Sequence, residues 1–249
     1  MSVPSRFNPW LRWLALVALG VVGLQLFFVL RILSMQFLDP WSTSFQRSEA
    51  LRIARKHETL RWRHEWVSAL QHPKAIERAV IASEDDVFAN HGGVQWDALE
   101  KAWNKNAKAQ ARAQARAQAP SAHAKSVKVV GGSTITQQLA KNLFLSGERN
   151  LLRKAQELFL TLVLELILDK ERILEIYLNS VEWGEGVFGI EAAAQHYYRR
   201  PAKQLSAWEC ARLAVMLPRP KYYEKFPRSP YLAGRAQTIL ARMPHAELP

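Results

Sequence analysis

The sequence predicts a mainly α-helical protein carried on a single N-terminal membrane-spanning helix, on three observations. Trp13 to Leu30 carries no charge over 18 residues, the length of a transmembrane helix. From Ser133 onward, apolar residues recur at helical spacing in one segment after another. Almost no stretch alternates apolar and polar residues with the period of two that a half-buried strand needs.

The elements follow in order. Residues 1–12 form a short head in which Arg6 and Arg12 precede the apolar run. This positive flank predicts a cytoplasmic N-terminus. Residues 13–38 form the anchor, since apolar character resumes after Arg31 as far as Leu38. The run is long for a signal-peptide core and no small-x-small cleavage site follows it, so an uncleaved single-pass anchor is expected. The rest of the chain then lies outside the cytoplasm, in a bacterial periplasm or its equivalent.

Residues 39–72 read as a juxtamembrane linker and an amphipathic segment. Asp39-Pro40 and Ser42-Thr43-Ser44 make the linker; Leu51 to Leu70 mixes Arg52, Arg55, Lys56, Arg61 and Arg63 with Trp62 and Trp66. That mixture suits a helix lying near a lipid surface, or an ordinary helix with a solvated basic face. Residues 73–249 form the main domain. Pro73 to Ser83 opens with proline at a helix N-terminus and delivers Glu84 at or just past the helix end. Asp97 to Trp103 continues helical. Residues 104–128 are a low-complexity basic insert of Ala, Gln, Lys and Arg, with Ala-Arg-Ala-Gln repeated at 111–114 and 115–118. Contact with anionic lipid or substrate is one reading of it, and a tolerated loop the other. Helices are then expected over Asn150–Asp169, Lys170–Asn179, Gly189–Tyr198, Ser206–Leu217 and Leu232–Met243.

A chain of 249 residues, about half of it apolar, can build one large domain or two small ones. Its net charge of +12 points to a polyanionic partner: lipid head groups, a phosphorylated substrate or nucleic acid. No zinc-finger spacing and no RNA-recognition aromatic motif is present, which argues against nucleic acid. Cys210 is the only cysteine, so no intrachain disulfide can form, and its helical setting predicts an inert buried thiol.

Three segments carry the chemistry. The first is Glu84-Asp85-x-x-Phe88-x-x-His91-x-Gly93. A carboxylate beside an apolar wall of Ile81, Ala82, Val87 and Phe88 has the raised pKa a general base needs. The alternatives are a solvated acidic helix end and, more weakly, a metal site of Glu84, Asp85 and His91. The second begins at Gly131-Gly132, where Ser133 and Thr134 are N-cap candidates. A helix N-terminus with Lys141 two turns along can hold phosphate. Gln137 and Gln138 can bond sugar hydroxyls or face water. In the third, Arg149, Arg153 and Lys154 lie within two turns, with Glu157 close behind. These cations can clamp a pyrophosphate, or simply pair with Glu157. Gly184-x-Gly186-x-x-Gly189 matches a dinucleotide fingerprint. Helical sequence, rather than the strand of a βαβ unit, is expected before it, so that reading is set aside.

Taken in this order, the three segments resemble the peptidoglycan glycosyltransferases, specifically the monofunctional, membrane-anchored biosynthetic transglycosylases. The resemblance extends through Lys170–Asn179 and Gly186–Ala194 to Ala211–Pro220. It implies a lysozyme-like glycosyltransferase domain with a smaller lobe partly sunk in the membrane. It implies polymerisation of lipid II into β-1,4-linked glycan strands with release of undecaprenyl pyrophosphate. By motif, Glu84 is implied as the general base and Glu157 as the second carboxylate. Lys141, Arg149 and Lys154 are implied to neutralise the leaving group. Asp85, Ser133, Gln137, Asn142 and Arg153 complete the implied substrate contacts. No tightly bound cofactor is implied; a divalent cation, Mg or Mn, is allowed with the pyrophosphate. The implied partners are lipid II, the growing strand, membrane lipids and other cell-wall synthesis or division proteins. Neither Ser-x-x-Lys nor Lys-Thr-Gly occurs, so no transpeptidase activity is expected. Gln95 stands where relatives often carry an acid. Two rival classes stay open: a glycan-cleaving enzyme of lysozyme type, and a membrane scaffold without catalysis.

Overall fold

The computed structural model describes residues 9–56, 62–96, 100, 133–145 and 150–249. The protein is mainly helical. Helix α1 (Pro9–Ser34) is the N-terminal apolar helix, long and apolar enough to cross a membrane. It starts at a proline suited to a first helical turn. It ends four residues short of Leu38, where the hydroxyl of Ser34 bonds back to the Arg31 carbonyl. Helix α2 (Ser44–Lys56) follows. The expected helix over Leu51–Leu70 does not form as such, because α2 stops at Lys56 and the described chain resumes as strand β1 (Arg63–His64). Trp62 packs on Phe188 with ring centroids 4.6 Å apart, and β1 pairs parallel with β3 (Val187–Phe188). Docking on β3 buries aromatic surface that a free surface helix would leave in water.

Helix α3 (Lys74–Glu84) turns Ile76, Ala79, Val80 and Ile81 into the core at helical spacing. Helices α4 (Ile135–Phe144), α5 (Leu151–Ile167) and α6 (Lys170–Ser180) come next, capped by Thr134, Asn150 and Asp169 respectively. Strand β2 (Glu182–Gly184) pairs antiparallel with β3, giving a three-stranded sheet in the order β1-β3-β2 among the described residues. A strand therefore does precede the Gly184–Gly189 motif, contrary to expectation. It belongs to a hairpin and not to a βαβ unit, so the dinucleotide reading falls for a different reason. Gly189, at φ 81°, starts α7 (Ile190–Tyr198); a Cβ there would meet the Asn179 carbonyl at 2.8 Å.

Helices α8 (Ala207–Met216), α9 (Pro220–Lys225) and α10 (Pro230–Arg242) close the chain. Helix α8 packs against both α3 and α10. Cys210 is fully buried there, and burial pushes its thiol up to about 12. Asn179 ties α6 to the segment after β1: its amide exchanges hydrogen bonds with Val67 N–H and C=O, at 3.0 and 2.8 Å. The insert at 104–128 and most of Asp97–Trp103 lie outside the described residues.

Candidate active site

The second and third motif segments line one cleft, and Glu84 of the first is joined to it through Gln138. The first motif folds on itself. Asp85 caps α3 and its side chain is fully buried. Its carboxylate accepts from His91 Nε2 at 2.9 Å, from Gln95 Nε2 at 2.5 Å and from the Ile135 backbone N–H at 3.0 Å. His91 Nδ1 accepts the Gly93 N–H, which assigns the ring proton to Nε2. The Thr134 hydroxyl donates to the Gly93 carbonyl. Asp85 and Gly93 thus hold the N-terminus of α4 against the turn that carries Glu84. Asp85, expected as a substrate contact, is placed among internal partners instead. Local spacing does not reveal this, because the donor it accepts from, the Ile135 N–H, is 50 residues away.

Glu84 ends α3. Its pKa is raised, chiefly by burial and further by the charge of Asp85. Hydrogen bonds from Gln138 and Ser83 and the charge of Lys141 oppose that rise. Ile81, Ala82 and Phe88 supply buried apolar surface as expected, whereas Val87 is exposed. The Glu84 carboxylate accepts from Gln138 Nε2 at 2.9 Å, and Tyr177 donates its hydroxyl to Gln138 Oε1 at 3.0 Å. Tyr177 is fully buried, and burial followed by the charges of Glu84 and Asp85 keeps its hydroxyl protonated. Gln138 therefore joins the half-buried Glu84 to the buried Tyr177 and also faces the cleft.

The cleft has a volume of about 340 Å³. Helix α4 contributes Ser133 (just ahead of its cap), Gln137, Gln138, Lys141 and Asn142 to the lining; α5 contributes Arg153, Lys154 and Glu157. Phe45 of α2 and Leu145 add apolar wall. Neither was singled out from the sequence, and Phe45 is brought in from far along the chain. Thr134 rather than Ser133 is the N-cap, in a reciprocal capping box with Gln137. The side-chain oxygen of Gln137 is committed to that cap, so its amide NH₂ is what remains for a ligand.

Glu157 is buried and accepts from Arg153 at 2.9 Å and Lys154 at 2.5 Å. The intrahelical pairing weighed from the sequence is present, and it fixes both cations on the cleft wall. One donor is left over: Arg153 Nε is buried without an acceptor among the described residues, a group that carries a desolvation cost unless something binds it. Arg149 lies outside the described residues. Glu84, Asp85 and His91 do not converge as ligands: Glu84 turns to Gln138, while Asp85 and His91 bond each other.

The chain is similar to known proteins over most of its length. The profile described as Transglycosylase matches residues 52–244. The chain is 52% identical over 243 residues to the biosynthetic peptidoglycan transglycosylase of Burkholderia thailandensis, covering 96% of this chain and 88% of that one. It is 48% identical over 249 residues to the protein so named in Paraburkholderia phytofirmans, covering 98% and 97%. It is 50% identical over 240 residues to the one in Herminiimonas arsenicoxydans, covering 96% and 97%.

Proposed function

This chain belongs to the transglycosylase family and is a peptidoglycan glycosyltransferase, and from that premise we propose how its cleft performs the transfer. The donor is the growing glycan strand on undecaprenyl pyrophosphate, and the acceptor is the 4-hydroxyl of the N-acetylglucosamine of lipid II. Glu84 removes the hydroxyl proton. The oxygen attacks the anomeric carbon of the donor as the bond to the pyrophosphate breaks, with inversion. A β-1,4 link forms, the proton rests on Glu84 and the polyprenyl pyrophosphate leaves.

The observation that carries this reading is the double role of Gln138: it bonds the burial-raised Glu84 carboxylate and lines the cleft beside Lys141, Arg153 and Lys154. The raised pKa suits Glu84 to take a proton near neutral pH. Lys141, Arg153 and Lys154 meet the charge that develops on the leaving pyrophosphate. Glu157 orients two of these cations and the buried Arg153 Nε offers a further donor. Ser133, Asn142 and the amide of Gln137 contact the sugars or their substituents, and Arg149 joins the cation set. Asp85 acts through structure, by fixing α4 relative to Glu84.

The donor set does not suit a resident metal. The one carboxylate in the cleft lining is already neutralised by two cations, and no cluster of three His, Cys, Asp or Glu residues is present among the described residues. A divalent cation would enter with the pyrophosphate, and no step above depends on it. Helix α1 anchors the enzyme in the bacterial inner membrane with its N-terminus cytoplasmic and its catalytic domain periplasmic. Transpeptidation is not part of the proposed activity.

The test offers two substrates to the solubilised protein. The proposal expects long strands from purified lipid II and no release of fragments from finished cell wall. Fragment release without polymer would overturn it in favour of a cleaving enzyme.

A further inference from the structure

Helix α1 is docked along α5. Gln25 lies within the uncharged run of α1, where a polar side chain is expensive unless it is paired. It is paired: Gln25 Nε2 donates to Gln156 Oε1 at 3.0 Å and Gln156 Nε2 donates to Gln25 Oε1 at 2.9 Å. Further along, Gln36 Nε2 donates to the Ile167 carbonyl at 2.8 Å. The two contacts have the same sequence offset of 131. From Gln25 to Gln36 and from Gln156 to Ile167, the two segments therefore run in the same direction and in register, over about 16 Å.

The packing agrees. Gln25, Phe28, Val29 and Ile32 form the buried and half-buried side of α1, at the spacing of one helical face. Phe28 meets Phe144 of α4 edge-on at 5.3 Å. Arg172 of α6 holds the end of the segment through the Met35 and Leu38 carbonyls and the Asp39 carboxylate. Leu151, Leu152 and Leu166 of α5 are exposed. Gln156 directly precedes Glu157, and Arg153 and Lys154 lie on the turn before it.

We propose that Gln25 is a positioning residue: its amide pair with Gln156 locks the register of α1 on α5 and so fixes the cations of the cleft relative to Glu84. The anchor is then a built part of the catalytic unit rather than a tether. This rests on the transfer chemistry proposed above.

Two measurements test it. The exchange Leu24→Gln with Gln25→Leu keeps the composition of the span but turns the amide about 100° around the helix. With lipid II in vesicles, kcat should fall about tenfold while KM stays within about twofold. Separately, the double variant Gln25→Cys with Gln156→Cys should be bridged by a short bis-thiosulfonate reagent, read on a gel without any activity. Bridging should restore the kcat that the double variant loses. Val22→Cys with Gln156→Cys should give no restoration. Cys210, buried with its thiol pushed to about 12, does not compete. Failure to bridge 25 to 156 overturns the docking, and wild-type kcat in the exchange variant overturns the positioning role. Bridging of the 25/156 double variant on the gel, beside wild-type protein that does not use lipid II, would instead remove the transfer chemistry.

Discussion

Replacing Gln138 separates the tuning of Glu84 from its identity. The amide of Gln138 donates to the Glu84 carboxylate at 2.9 Å and accepts from the Tyr177 hydroxyl at 3.0 Å. Gln138→Met keeps the length and removes both bonds. A hydrogen bond to a charged group contributes about 1.5–3 kcal/mol, and one pKa unit corresponds to about 1.4 kcal/mol. Glu84 is already raised by burial, and losing the donor raises it further. A base must be ionised to work, so the acidic limb of the pH–rate profile should move to higher pH. Above both limbs, the rate should approach that of the wild type. The orphaned, buried Tyr177 hydroxyl should cost about 1–3 kcal/mol of stability. Adding Tyr177→Phe should recover most of that stability in a thermal melt without moving the acidic limb back. The assay is initial polymerisation rate across pH 4–9, beside melts in the same detergent. An unmoved acidic limb would refute the claim that Gln138 holds Glu84 in its charged form.

Other consequences follow from the same geometry. Lys154→Met should lower kcat about a hundredfold with little change in melting temperature, because that ammonium is half exposed; Glu157→Gln, which strips the buried partner from two cations, should instead destabilise by about 3 kcal/mol. Gly189→Ala should cost about 3 kcal/mol in denaturant unfolding, from its positive φ and the Asn179 carbonyl 2.8 Å from the new Cβ. Glu182 is raised by burial from 4.5 to about 7. Its contribution to stability is therefore complete below about pH 4.5 and lost as pH rises through about 7. Glu182→Gln should flatten that slope and exceed wild type at pH 8 by up to about 3 kcal/mol, measured by melts across pH.

The parts of this protein that were legible in its sequence are those made locally. The apolar run, the α3 pattern ending at Glu84, and the Arg153–Lys154–Glu157 spacing each place their residues within a few turns of one helix. The cap ahead of α4 was legible to within one residue, since Ser133 and Thr134 are both good caps and only Thr134 has a glutamine three residues on. The parts that were not legible depend on distant segments. Strands of two or three residues, such as β1 and β3, are too short to show alternation. Phe45 enters the cleft, and Gln25 finds Gln156, through packing that spacing cannot express. Asp85 illustrates the point from the other side: an acid beside a candidate base reads as a second contact, yet here it bonds His91, Gln95 and the distant Ile135 N–H.

The role proposed for Glu84, base of a lipid II polymerase, is tested most directly by strand synthesis from purified lipid II, comparing wild type with Glu84→Gln in the same detergent and confirming the fold of each by thermal melt. The account predicts long strands from wild type and at least about a hundredfold less polymer from the variant. It also predicts an unchanged or higher melting temperature, since a neutral amide removes the burial penalty of the charge. A correctly folded Glu84→Gln variant that polymerises at near wild-type rate would contradict it.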